Sequence, residues 1–290
     1  MNPDACFDTF LKAFMDYLKP AEVVNAMIEA GARKAALSVS DLLVRGALAG
    51  AILGIATSLA ITASVQTGVP LVGALIFPVG FVMIVLLNLE LVTGSFAVLP
   101  MTQMDGAIGF VAVLRNWAWA FVGNLAGSVL YAVMAWGTLT MFGEVPGGPV
   151  GERIASIADA KTLAYAAHGG AGWAAAFVKA MLCNWMVCMG VVMSVVAQST
   201  LSKIAAAWLP ICIFFALGYE HAVVNMFVIP AGMLLGAKTS SASWWLWNQV
   251  PVTLGNLVGG FLFTGLALYV TYRTRVAKPE PSRELVRAST

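Results

Sequence analysis

An apolar run from Ile211 to Leu235, long enough to cross a bilayer, is interrupted by Gly218-Tyr219-Glu220-His221 and then by Asn225. A hydrocarbon core takes about 20 apolar residues to span. A charged side chain near its centre costs about 2.5–3.5 kcal/mol even on lenient insertion scales. Of fourteen Asp and Glu residues, only Glu90 and Glu220 lie deep inside apolar runs. Such groups persist where they face protein or water. A helix broken at that depth must likewise satisfy its freed N–H and C=O groups inside the protein. The stretch therefore restricts the chain to membrane folds that enclose polar groups, and it marks a functional site.

Composition supports the membrane assignment: 60% of the 290 residues are hydrophobic and 10% charged, against about 25% charged in soluble chains. A net charge of +2 is too small to imply nucleic acid. Two histidines, His168 and His221, are too few for a histidine-rich metal site. The four cysteines form no CxxC pair and read as buried structural thiols, so no cofactor or metal is expected. No nucleophile–base pair lies within the spans, which argues against an enzyme. Asp4, Asp8 and Asp16 interrupt any signal-peptide core.

Residues 1–41 are mixed and polar. From Pro20 to Leu37, apolar residues recur at helical spacing, which predicts an amphipathic helix on the membrane surface or against its neighbours. Six spans follow: about Leu42–Val65; a run from Leu71 interrupted at Asn88–Ser95 and stopping before Pro100; Trp117–Phe142; Trp173–Ala197; Ile204–Leu235, broken at Gly218–His221; and Trp245–Val270. Gly143–Ala167 reads as a polar connection and 272–290 as a basic tail. With both termini cytoplasmic, twelve Lys and Arg fall inside and four outside, the bias the positive-inside rule requires.

The two halves repeat. Asn116-Trp117 followed by Gly123-Asn124-Leu125-Ala126-Gly127 matches Asn248-Gln249 followed by Gly255-Asn256-Leu257-Val258-Gly259, 132 residues later. Glu90 and Glu220 match at 130, and Arg45 and Lys179 at 134. The expected fold is all-α: six transmembrane helices as two inverted three-helix repeats, about 42–142 and 168–271 within a 42–271 channel domain, with helices 2 and 5 broken. Broken helices at corresponding positions of inverted repeats point to a permeation site at the midplane.

Glu90 and Glu220 read as acceptors that hold each break in shape; proton carriage is the competing role. His221 is the one side chain at this depth whose reference pKa lies near neutrality. It suits a group that hydrogen-bonds a weak-acid anion and exchanges a proton with it, or else a neutral ring bonded to a neighbour such as Thr93. Asn184 and Asn225 read as ties between the breaks. Phe77, Phe81, Leu91 and Phe214 flank them and can form hydrophobic constrictions, costly for an anion and cheap for its neutral acid.

Four stretches resemble the formate/nitrite transporter family: Phe77-Pro78-Val79-Gly80-Phe81 through Leu89-Glu90-Leu91-Val92-Thr93-Gly94-Ser95; Leu182-Cys183-Asn184-Trp185-Met186-Val187-Cys188; Gly218-Tyr219-Glu220-His221 through Phe227; and Pro251-Val252-Thr253-Leu254-Gly255-Asn256. The resemblance implies a homopentamer of aquaporin-like protomers in a bacterial inner membrane, each passing formate, nitrite or similar anions, often with protons. His221 would be the central histidine, Thr93 its loop partner, and Phe81, Leu91 and Phe214 constriction residues. Two departures stand out. His168 occupies the place where the family commonly has a vestibule lysine, and Val92 replaces a loop phenylalanine. A hydrosulfide channel and a neutral-solute pore of aquaporin or ammonia type are the alternatives; paired Asn-Pro-Ala boxes are absent.

Overall fold

A computed structural model describes residues 17–273, and within them the elements are helices. In chain order these are α1 Pro20–Ala35, α2 Val39–Thr67, α3 Pro70–Leu86, α4 Val92–Met104, α5 Phe110–Thr140, α6 Gly148–Ala167, α7 Gly169–Val196, α8 Thr200–Ala216, α9 Ala222–Leu234 and α10 Ser241–Tyr272. The basic tail beyond Arg273 lies outside the described residues, as does Cys6. Helices α2, α5, α7 and α10 are each long and apolar enough to cross a membrane. Helices α3, α8 and α9 are shorter apolar pieces.

Local chemistry accounts for most helix ends. Pro20 starts α1, Glu22 accepts a bond from the Lys19 N–H at 2.8 Å, and Arg33 and Lys34 occupy the last turn, as the helix dipole favours. Ser38 caps α2 by accepting from the Asp41 N–H, and Gly68, at φ 70°, ends it. Val23, Val24, Met27, Ile28 and Gly31 bury one face of α1. That face packs against α4 and α7, and a Cβ at Gly31 would sit 1.9 Å from Thr102 Oγ1. Packing against neighbours is one of the two placements expected for this helix.

The structure departs from the sequence expectation at three places. The connection 143–167 contains the 20-residue helix α6. Helix α5 begins at Phe110, ahead of the expected Trp117. Helix α4 runs through Pro100 to Met104. Proline normally disrupts a helix interior by removing a bond and crowding the preceding turn. Here every residue from Val92 to Thr102 is buried, so packing holds the turn that the missing bond weakens. Pro230 lies in the same way inside α9.

The 13-residue helices α4 and α9 are buried almost throughout and form the centre. Around them α2 packs along α5, and α7 along α10. Glycines set these approaches: a Cβ at Gly127 would lie 1.8 Å from Ala47 O, and one at Gly259 would lie 2.1 Å from Met181 O. Small residues that let backbones approach are the usual device for apolar helix pairs. Gly127 and Gly259 belong to the repeated Gly-Asn motif, so part of that repeat is a close-packing code. The correspondence extends beyond it, with α1–α5 followed by α6–α10 in matching order.

Candidate functional site

The residues between α3 and α4 and between α8 and α9 build the site. Asn88 (φ 51°) and Gly218 (φ 63°) take left-handed conformations just past α3 and α8. Leu89 N–H then donates to Ile84 O at 2.9 Å, and Tyr219 N–H to Phe214 O at 3.1 Å. This is the usual left-handed helix stop, available to glycine and tolerated by asparagine. The non-helical residues are 87–91 and 217–221, and Val92 to Ser95 are already helical.

Two asparagines satisfy the freed backbone identically. Asn124 Oδ1 accepts from Val92 N–H at 3.0 Å, while its Nδ2 donates to Gly46 O and Glu90 O at 2.9 and 2.8 Å. Asn256 Oδ1 accepts from Ala222 N–H at 2.8 Å, while its Nδ2 donates to Ala180 O and Glu220 O at 2.8 and 2.9 Å. Each carboxylate then meets a lysine from the helix that opens its half. Lys34 Nζ lies 2.7 Å from Glu90 Oε1, and Lys161 Nζ 2.8 Å from Glu220 Oε2. Asn116 and Asn248 donate to the carbonyls of those lysines at 3.1 and 2.9 Å. Glu220 gains more. Tyr165 OH donates to its Oε1 and Asn225 Nδ2 to its Oε2, both at 2.8 Å. Burial and the Glu220 charge push the Tyr165 phenol above its ordinary range, which keeps it a donor.

At the centre His221 caps α9. Its Nδ1 accepts from Val224 N–H at 3.2 Å, and its Nε2 lies 3.1 Å from Thr93 Oγ1, in the first turn of α4. A nitrogen that accepts a backbone N–H carries no proton, so the ring is held as the Nε2–H tautomer. Nε2–H donates toward Thr93, whose own hydroxyl hydrogen can point elsewhere. Protonating Nδ1 would set two N–H groups against each other and cost the cap. The geometry therefore favours a neutral donor pair, His221 and Thr93, at the N-terminal ends of two helices. Helix N-termini favour anions.

A cavity opens on each side of this pair. One, of about 360 Å³, is lined by Arg153, Lys161, Phe214 and His221 among apolar residues. The other, of about 340 Å³, is lined by Arg33, Lys34, Lys203, Phe81 and Leu91. Neither lining includes a carboxylate, and the two share no residue. Hydroxyls in the first are turned back on their own helix: Thr57 donates to Leu53 O and Ser64 to Ala60 O. The donors left to face a guest there are Arg153, Lys161, His221 and the Tyr219 hydroxyl.

The expected residues divide accordingly. Phe81, Leu91, Phe214 and His221 line the cavities; Thr93 lines neither but is fully buried against His221. Phe77 does not: it is fully buried behind Phe214, stacked on Phe215 at 4.0 Å, because Pro78 turns α3 there. His168 is exposed at the α6–α7 junction and lines neither cavity. The basic residues in the first cavity's lining are Arg153 and Lys161, the latter two helical turns back and paired with Glu220. Asn184 donates to Thr93 O at 3.0 Å and to Asn256 O at 2.6 Å, and Asn225 to Glu220 and Asn248. Asn184 thus joins α4 to α10, Asn225 joins the second break to α10, and neither lines a cavity. Cys183 and Cys188 are buried free thiols, and Cys188 donates to Thr93 O at 3.5 Å. Lys34, Lys161 and Tyr165 escaped the sequence reading. The lysines recur 127 residues apart, close to the repeat offset, which was the available signal.

Residues 21–270 match the family model described as formate/nitrite transporter. The chain belongs to the formate/nitrite transporter family. It is a multi-pass membrane protein of a family of channels and transporters. A probable formate transporter of Methanothermobacter thermautotrophicus is 33% identical, over 88% of this chain and 97% of that protein. Formate channel FocA of Escherichia coli K12 is 30% identical, over 89% and 95%. A solved FNT family ion channel superposes with a TM-score of 0.75 at 28% identity, covering 86% of this chain and 98% of that one. A pentameric formate channel with formate bound gives 0.67 at 25% identity, covering 81% and 98%. The all-α fold is thus the family's.

Proposed function

We propose that this family member passes small monovalent anions of weak acids, formate and nitrite first, with proton uptake at the centre. One observation carries the reading: two cation-lined, carboxylate-free cavities end on opposite sides of a single donor pair, His221 and Thr93. Lysine and arginine at each mouth raise the local anion concentration. Phe214 on one side and Phe81 and Leu91 on the other make an apolar passage that an anion crosses at high cost. The anion takes a proton from cavity water and crosses as the neutral acid. His221 Nε2–H and the Thr93 hydroxyl donate to its oxygen on the way. The cap on Nδ1 favours water over the imidazole as the proton source.

In this reading α3 with α4 and α8 with α9 are the second and fifth of six crossings, each broken at its middle. The halves are then inverted three-helix repeats, α1 and α6 flanking their entrances. The protomer assembles as a homopentamer in a bacterial inner membrane lipid bilayer, with both termini cytoplasmic, consistent with the positive-inside count. Its relatives' names point to formate.

The test is flux into liposomes with formate, nitrite, hydrosulfide, lactate and ammonium at two pH values. Formate and nitrite should pass, faster at the lower pH, and ammonium should not. Flux indifferent to pH would overturn the proton step, and ammonium passing alone would overturn anion transport. Hydrosulfide outrunning both oxyanions would move the substrate to the alternative reading.

A further inference from the structure

We infer that one buried water molecule is built into the first half of the protein, bridging Glu90, Ser95 and Asn116. Three side-chain atoms there have no protein partner among the described residues: Glu90 Oε2, Ser95 Oγ and Asn116 Oδ1. All three residues are fully buried. Their neighbouring atoms are fixed. Glu90 Oε1 is 2.7 Å from Lys34 Nζ, Asn116 Nδ2 donates to Lys34 O at 3.1 Å, and Ser95 O accepts from Trp117 Nε1 at 3.2 Å.

The second half shows what fits. Ser95 corresponds to Asn225 at the same interval that relates Glu90 to Glu220. Asn225 Nδ2 donates at 2.8 Å to Glu220 Oε2 and at 2.8 Å to Asn248 Oδ1. Those acceptors are the counterparts of Glu90 and Asn116. Serine, two heavy atoms shorter, stops short of the amide's place. A guest in the amide's place must donate twice, to Asn116 Oδ1 and to Glu90 Oε1, which faces Lys34 as Glu220 Oε2 faces Lys161, and accept once, from the Ser95 hydroxyl. Water does this with no charge added. Buried waters make about three bonds of this kind to otherwise unpaired groups. Unpaired, the same groups would each bear a full desolvation penalty. A protonated Glu90 bonding Asn116 directly is the competing arrangement, and it leaves the Ser95 oxygen unpaired.

The test is an experimental structure of the wild-type protein in lipid nanodiscs, at a resolution that shows ordered solvent, alongside Ser95→Asn and Asn225→Ser. Wild type should show one solvent peak within hydrogen-bond distance of Glu90 Oε1, Ser95 Oγ and Asn116 Oδ1. Ser95→Asn should replace that peak with its own amide nitrogen and raise the melting temperature by about 2–4 °C. Asn225→Ser should gain a peak between Glu220 and Asn248. A direct Glu90–Asn116 bond, or wild-type density with no peak, would overturn the inference even if a variant fails to fold.

Discussion

The two halves of this protein share a frame and differ in what they hang on it. Asn124 and Asn256 make the same three bonds, and the same pair of glycine-lined crossings supports them. Within that frame Leu91 stands opposite His221, and Ser95 opposite Asn225. Glu90 has one lysine where Glu220 has a lysine, a tyrosine and an asparagine. Backbone satisfaction has been kept twice, because each helix end needs it equally. Chemistry has been placed once, which the proposed passage, with one narrow point, would need.

That comparison can be broken by experiment, most severely at the ion pairs. Lys34→Ala leaves Glu90 buried with no protein partner for its charge. A loss of about 3–5 kcal/mol is expected, the usual cost of orphaning a buried charge. Lys161→Ala should cost about half as much, because Tyr165 and Asn225 still donate to Glu220. Thermal unfolding of both variants in detergent checks the order, and the reverse order would refute the asymmetry.

The asparagines should behave alike. Asn124→Ala and Asn256→Ala each orphan one buried N–H and one break carbonyl, at about 1–3 kcal/mol or more apiece. Unequal melting temperatures would show that the frames are not equivalent.

At the centre, His221→Phe removes a donor worth about 0.5–1.5 kcal/mol to a neutral guest. Formate flux should fall about 2- to 10-fold at either pH, with its acid stimulation kept because the proton comes from water, while Leu91→Ala, which removes no donor, should change flux less. Unchanged acid uptake in His221→Phe would remove the histidine from the mechanism. The smallest effect belongs to the cavity rims. Arg153→Ala or Lys203→Ala should lower flux about two- to threefold at low salt and not at high salt, since exposed charges are screened there. Stopped-flow anion uptake at two ionic strengths reads this directly.

Much of this was legible before any coordinates. Apolar runs located the long helices, and the costly Glu90 and Glu220 located the interruptions. The Gly-Asn motif exposed the repeat. The helix α6 was hidden because its polar, glycine-bounded sequence resembles a connection, and its burial comes from contact with α9, α10, α7 and α2. Lys161 was hidden with it: a lysine in an apparent loop counts as surface charge until the loop is a helix aimed inward. His168 was chosen because residue type and position near α7 suited a vestibule, but the helical turn points it outward. Phe77 failed for a different reason. Aromatic residues flanking a break look alike in sequence, and only the turn at Pro78 separates wall from backing. Continuation through Pro100 depended on burial from all sides, which local propensity does not encode.

The separation of the two cavities has an electrical consequence. A membrane potential does about 2.3 kcal/mol of work per elementary charge per 100 mV. A guest that sheds its charge before passing Phe214, His221 and Leu91 carries none through the steepest part of that field. Voltage then neither drives nor blocks it. Its distribution across the membrane follows the difference in acidity between the two compartments, and a cell that acidifies its surroundings would draw the acid back in.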